Sequence, residues 1–222
     1  MDWDAHAERE EGRYADGLDR LPDEADARQK QLVRMAMAAT GTGLVRLMQG
    51  RRAEAAGWFA RSAERFRESY ADAPPGSWGR LIGAVKARVL AGDWGGADAD
   101  AAWALEQGSA DGESPIGLYA AALALLVLGR DEEAAATAAP LVDAAEDAFP
   151  RPVAESLAGL AAGDGAAYRE AVARVLASFE SRDEYLEGIP VADTVIVLQA
   201  LAERRGMAAE LRSPLLPEEL GG

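Results

Sequence analysis

Few side chains in this sequence are able to do chemistry, and they do not gather into a known pattern. His6 is the single imidazole of the 222-residue chain, and no serine or acid accompanies it at the spacing of a proton relay. Gly41-Thr42-Gly43 has the opening of a dinucleotide loop, but Arg46 stands at the third glycine position and no strand precedes it. Asp93, Asp98 and Asp100 are dense enough for a calcium loop, yet the loop's glycine and distal glutamate are misplaced. A solvated helix face accounts for those acids better. The patterns GxxxxGKS or GxxxxGKT, HExxH and GxSxG are absent. Without cysteine there is no disulfide, thiolate nucleophile, iron–sulfur cluster or structural zinc site. The five tryptophans (Trp3, Trp58, Trp78, Trp94 and Trp103) suit helix–helix packing better than one ligand pocket. The sequence therefore predicts no catalytic, cofactor-binding or metal-binding residue, and a protein that is not an enzyme.

Charge is the next resource. The chain has 38 acids and 23 bases, a formal charge of −15. Of the bases, 21 are arginine and only Lys30 and Lys86 are lysine, beside 50 alanines, usage that follows from a GC-rich genome. The acid excess also suits a high-salt cytoplasm. Neither bias explains the distribution, which is −4 over residues 1–43, +5 over 44–90 and −16 over 91–222. Arg51, Arg52, Arg61, Arg65 and Arg67 cluster in the middle segment, followed by Arg80 and Arg88. They have two readings: intramolecular pairs with Glu54, Glu64, Glu68 and the acidic N-terminal helix, or a basic edge that steers an oppositely charged protein. Nucleic-acid binding over a broad surface is not expected of so acidic a chain. The longest apolar run, Leu118 to Leu128, is short of the roughly 20 residues that span a bilayer. The start, MDWDAHAEREE, is acidic where a secretory signal needs a basic start and an apolar run. A cytoplasmic location is expected.

Alanine, leucine, glutamate and arginine favour helices, and alternating β-branched stretches are nearly absent, so the fold is all-α. Even the β-like run Val195-Ile196-Val197-Leu198 continues with helical spacing to Leu201. Gly50, Gly92, Gly129 and Gly163 fall where helices should end, each able to take the left-handed conformation that closes a last turn. The pattern predicts helices near 4–18, 23–48, 52–70, 77–91, 95–107, 115–128, 131–146, 152–162, 165–181 and 190–205. The linker GSADGES, 108–114, is polar and is expected to be mobile. After Gly206, Pro214 and Pro217 preclude a full helix, and the tail is expected to cap the last hairpin. One domain, 1–222, results: N-terminal helices over 1–48, degenerate helix hairpins over 49–205 and a capping tail over 206–222.

Five residues after the first three turn glycines comes a small residue, Ala55, Ala97 or Ala134, and four further on an inward one, Phe59, Ala101 or Ala138. Gly43 falls at a close helix contact in the first unit. Tyr168 stands in the fourth unit where the others have alanine. This spacing resembles the tetratricopeptide helix–turn–helix and implies an α-solenoid of antiparallel helix hairpins. Relatives that clamp peptide tails present Lys, Arg and Asn along the groove. Here those positions carry Thr40, Leu44 and Leu47, then Ile82, Lys86 and Val89, then Tyr119, Leu123 and Leu126, then Val153, Leu157 and Leu160. So apolar a row must be covered by the chain's own ends, a second copy or a partner. Candidate partner-binding residues are Arg51, Arg52, Arg61, Arg65, Arg80, Tyr119, Leu123 and Leu126.

From residue 155 to 220 the sequence resembles the C-terminal region of the forty-ninth numbered family of bacterial polymorphic-toxin immunity proteins. The resemblance rests on the helix ending in Gly163-Asp164, the Tyr168 to Phe179 helix, LQALAERRG from Leu198 to Gly206 and the closing Leu216-Pro217. It implies a small cytosolic protein that binds and blocks a cognate toxin, with no catalytic residues to carry over. The competing expectations are a tetratricopeptide-like scaffold, self-associating as a homodimer through the apolar groove, and a small-ligand sensor or enzyme using an interhelical pocket.

Overall fold

Five glycines end helices in the same way. At Gly50, Gly92, Gly129, Gly163 and Gly206 φ lies between +66° and +72°, a region that costs a side chain strain. At each, the next residue's N–H reaches back five positions to a helix carbonyl: Arg51 to Arg46 at 2.8 Å, Asp93 to Arg88 at 3.0 Å and Arg130 to Leu125 at 2.9 Å. Asp164 to Gly159 at 3.0 Å and Met207 to Ala202 at 2.9 Å complete the set. These paired closures satisfy helix carbonyls and reverse the chain within a few residues.

The computed structural model describes residues 2–110, 114–144 and 147–218. Among them are ten α-helices and no strand: α1 (Trp3–Asp19), α2 (Ala25–Met48), α3 (Arg52–Tyr70), α4 (Trp78–Ala91) and α5 (Trp94–Glu106), then α6 (Pro115–Val127), α7 (Asp131–Val142), α8 (Arg151–Ala161), α9 (Gly165–Glu180) and α10 (Asp193–Glu203). The expected helices are all present, and Val195–Leu198 is helical. Helix α7 stops at Val142, just after Pro140, rather than running to 146. Positions 145–146, the middle of the 108–114 linker and the end of the tail lie outside the described residues.

Each helix from α1 to α9 packs on the next, and α4 also touches α6, which touches α8. The spacer residues do what their size allows. Ala55, Ala97 and Ala134 are buried, as are Phe59, Ala101 and Ala138. A Cβ on Gly43 would stand 2.6 Å from the Phe59 ring, and one on Gly83 2.5 Å from the Phe66 ring, so both glycines admit an aromatic across a helix contact. Tyr168 explains its own departure from alanine. Its backbone lies against Gly159, where a Cβ would meet the Tyr168 nitrogen at 2.9 Å, and its side chain is fully buried.

The C-terminal segment departs from the sequential pattern. Helix α10 packs on α4, α8 and α9, and Val195 to Gln199, Leu201 and Ala202 are all buried. It is apolar all round because it has protein on nearly every side. Residues before it return to the N-terminal helices: Arg9 donates to the Glu187 carbonyl at 2.6 Å, and Arg13 pairs with both the Glu187 and Glu10 carboxylates. Glu187 holds φ +54°, an uncommon conformation for a side chain of its size. Ile189 fills the space at Gly41. After α10 the described part of the tail, to residue 218, turns back toward the first helices. The Ala192 amide donates to the Leu215 carbonyl at 2.9 Å, and Leu211 to Pro214 with Leu216 and Pro217 line a cavity with Trp3 and Met48 of the first helices. The tail thus links the end of the chain to its beginning.

Gln199 anchors this arrangement. Its side-chain oxygen accepts from the Tyr168 hydroxyl at 2.8 Å and the Ala209 amide at 3.0 Å, while its nitrogen donates to the Ala209 carbonyl at 2.6 Å. Gln199→Leu strands three buried polar groups and should lower stability by about 2–4 kcal/mol in urea unfolding. Tyr168→Phe leaves both tail bonds intact and should cost only about 1 kcal/mol. Equal losses in the two variants would contradict this division.

Candidate functional site

The apolar row read along the sequence lies inside the protein. Leu44, Leu123, Leu126, Leu157 and Leu160 are each 0–1% exposed. Leu123 and Leu126 are therefore corrected from partner-binding candidates to core residues: α6, which carries them, is buried from Ala120 to Val127. Tyr119 packs on Phe149, ring centroids 5.3 Å apart, and is also turned to the interior. Of the three covers the sequence offered, the chain supplies its own, so the groove gives no reason to invoke a second copy.

The basic cluster is largely tied up within the chain. Arg51 bonds Glu54 at 2.7 Å, Arg46 bonds Glu11 at 2.6 Å, and Arg65 holds the Tyr14 hydroxyl and Glu68. Arg61 lies 4.5 Å over the Trp58 ring. Arg67 and Arg88 grip the buried Asp100 from two sides, at 2.5 and 3.2 Å. Asp93 caps α5 by accepting from the Gly96 amide at 2.9 Å. The solvated reading of these acids thus fits exposed Asp93 and Asp98 and fails for buried Asp100. Arg52 is exposed and lines a small cavity with Pro217 and Glu218. His6 lies against Trp3, ring centroids 6.2 Å apart. The tryptophans are dispersed over separate helix contacts, Trp58 on Tyr14, Trp103 on Tyr70 and Trp94 under Arg204. Among the described residues no three His, Cys, Asp or Glu side chains form a group able to hold a metal, and no helix is long and apolar enough to cross a membrane.

A trough of about 450 Å³ runs along one face of α4, within the usual range for ligand cavities. Val33 and Met37 of α2, Phe66 of α3 and Ile82, Ala87 and Leu90 of α4 form its walls, with Leu186 at the edge. Two cations interrupt this apolar lining. Lys86 donates to Asp193 at 2.5 Å and to Thr194 at 3.2 Å, bridging α4 to the start of α10. Burial opposes its charge, but Asp193, with the Tyr119 phenol close by, more than offsets that and raises its pKa above the ordinary value. Burial likewise raises the pKa of Tyr119. Arg80 has no such partner. One of its nitrogens donates to the Gln29 side chain, whose own nitrogen is fixed on Asp26 at 3.0 Å. Its Nε and Nη1 are buried without a partner among the described residues, and burial holds its pKa below the ordinary value, with Tyr70 opposing.

Sequence reasoning proposed Arg80 as a surface charge and missed the trough around it. The one signal was Lys86, the single charged position in an otherwise apolar row; its partner lies 107 residues away, beyond any local pattern. The chain matches no protein-family profile, no curated protein and no solved structure.

Lys86→Met removes the cation and leaves Asp193 charged in a buried site, at a cost of about 3–5 kcal/mol in urea unfolding. Lys86→Met with Asp193→Leu should recover most of that loss; failure to recover would mean that packing, not charge, sets the cost. The sign in pH follows from the raised lysine value. The pair's contribution is present in full below the unfolded value of 10.5 and is lost as pH rises through the higher folded value. The stability difference between wild type and Lys86→Met should therefore stay constant between about pH 7 and 10 and narrow in more alkaline solution.

Proposed function

We propose that this chain is a non-enzymatic, tetratricopeptide-like α-solenoid that binds a protein partner through an acidic outer face. Support for the repeat comes from the recurrent glycine closures, the buried alanine spacers and the contacts of α4 with α6 and α6 with α8. The observation that carries the binding reading is the fate of the charges. Most arginines of residues 44–90, Arg80 apart, are engaged internally, whereas residues 91–222 carry 24 acids against 8 bases. Several of those bases are also occupied, Arg130 by Glu133, Arg174 by Glu155 and Arg205 by Asp131. Asp98, Glu106, Glu132, Asp143, Glu170 and Glu184 are exposed on or beside α5, α7 and α9. The outward field is negative, which draws a basic partner and speeds its encounter. The resemblance of residues 155–220 to an immunity family makes a cognate toxin the partner class, with its activity blocked by coverage.

The test is co-expression with the product of an adjacent gene. A complex that suppresses toxicity, and whose association slows with added salt, supports the proposal. Glu132→Lys with Glu170→Lys should reduce the association rate about tenfold at low salt, while Arg61→Glu leaves it nearly unchanged. Absence of a complex with any neighbouring product removes the toxin reading. A complex weakened chiefly by Arg61→Glu would move the interface to the basic hairpin.

A further inference from the structure

We propose that the trough along α4 is a binding site for an amphipathic carboxylate, a single anionic head on an unbranched apolar tail. The head belongs at Arg80. This residue stands in the first turn of α4, where no acid counters the helix's positive end, and the Ser77 side chain, bonded to the Pro74 carbonyl, does not cap it. Two buried guanidinium nitrogens without a partner are an unusual thing for a fold to retain, and a carboxylate would satisfy them. Arg80 lines the trough beside Gly79 and Ser77, so a head group would reach it from the trough side.

The tail belongs on the walls beyond. Gly83 lets the Phe66 ring come close against α4, so the lining is apolar between Arg80 and Lys86. Lys86 is already neutralised by Asp193, and it therefore adds no demand for a second anion. Arg80 and Leu90 are ten positions apart on one helix, about 15 Å along its axis. That is the extended length of a chain of roughly a dozen carbons. Leu186, at 45% exposure one of the few exposed large apolar residues, stands at the rim where it would fold over such a tail. The ion pair leaves the trough with one unmet charge, so the ligand carries one.

Isothermal titration of the full chain with decanoate and dodecanoate, below their micelle-forming concentrations, tests this. One-to-one binding is expected, with dodecanoate about tenfold tighter than decanoate for its two extra methylenes. Decan-1-ol, which lacks the charge, should bind at least tenfold more weakly than decanoate. Arg80→Met should abolish the preference for acid over alcohol while keeping the tail-length dependence, and Ile82→Trp should block all three ligands. No binding by the wild-type chain, or equal binding of decanoate and decan-1-ol to it, overturns the proposal without recourse to any variant.

Discussion

Burial of helix α10 against α4, α8 and α9 is the constraint on which the rest of the structure depends. An apolar stripe on each of several stacked helices has to meet something, and Leu44, Leu123, Leu126, Leu157 and Leu160 are too many and too contiguous to face water. The chain covers part of this row by returning its own C-terminal helix onto α4, α8 and α9. Such a return buries the polar ends of α10, and each is satisfied by a particular partner. Asp193 at its start meets Lys86, Gln199 in its middle meets Tyr168 and Ala209, and Arg205 just past its end meets the Leu126 carbonyl and Asp131. The three contacts fix its register against elements far apart in sequence.

That arrangement decides what the molecule can use for recognition. The apolar row that the sequence placed along a groove is covered from within the chain. In the reading proposed above, recognition falls to the outer face, where acids exceed bases over residues 91–222, and to the stretch of α4 that lines the trough. Arg80 and Lys86 sit six residues apart on that stretch with opposite fates. Lys86 was given a carboxylate by the fold and became structural; Arg80 was given only the neutral oxygen of Gln29 and retains an unmet charge.

Local features of the fold were legible because their causes are local. A glycine that must take positive φ, a small residue where two helices approach and a run of good helix formers each leave a trace within a few positions, and the helix ends follow from them. Position in space was not legible to the same degree. Nothing near Val195 distinguishes a helix that closes a last hairpin from one that lies on α4, because the distinction is made by Lys86. Tyr168 was visible as a departure from the repeat. Its reason, a backbone seated against Gly159 and a hydroxyl that reaches Gln199, needs three segments at once. The basic cluster shows the same limit: its net charge of +5 over residues 44–90 is a property of sequence, but the carboxylates that absorb it include Glu11, Asp100 and Asp193 from outside that segment.

Native-state hydrogen exchange compares α10 with the helix at the centre of the protein, α6, most directly. If α10 is part of the core, the amides of Val197, Leu198 and Leu201 exchange only through global unfolding, with the same protection as those of Leu123 and Leu126. Exchange of α10 at markedly lower free energy than α6, with α4 and α8 still protected, would show a helix that lifts off its groove, and would contradict the account.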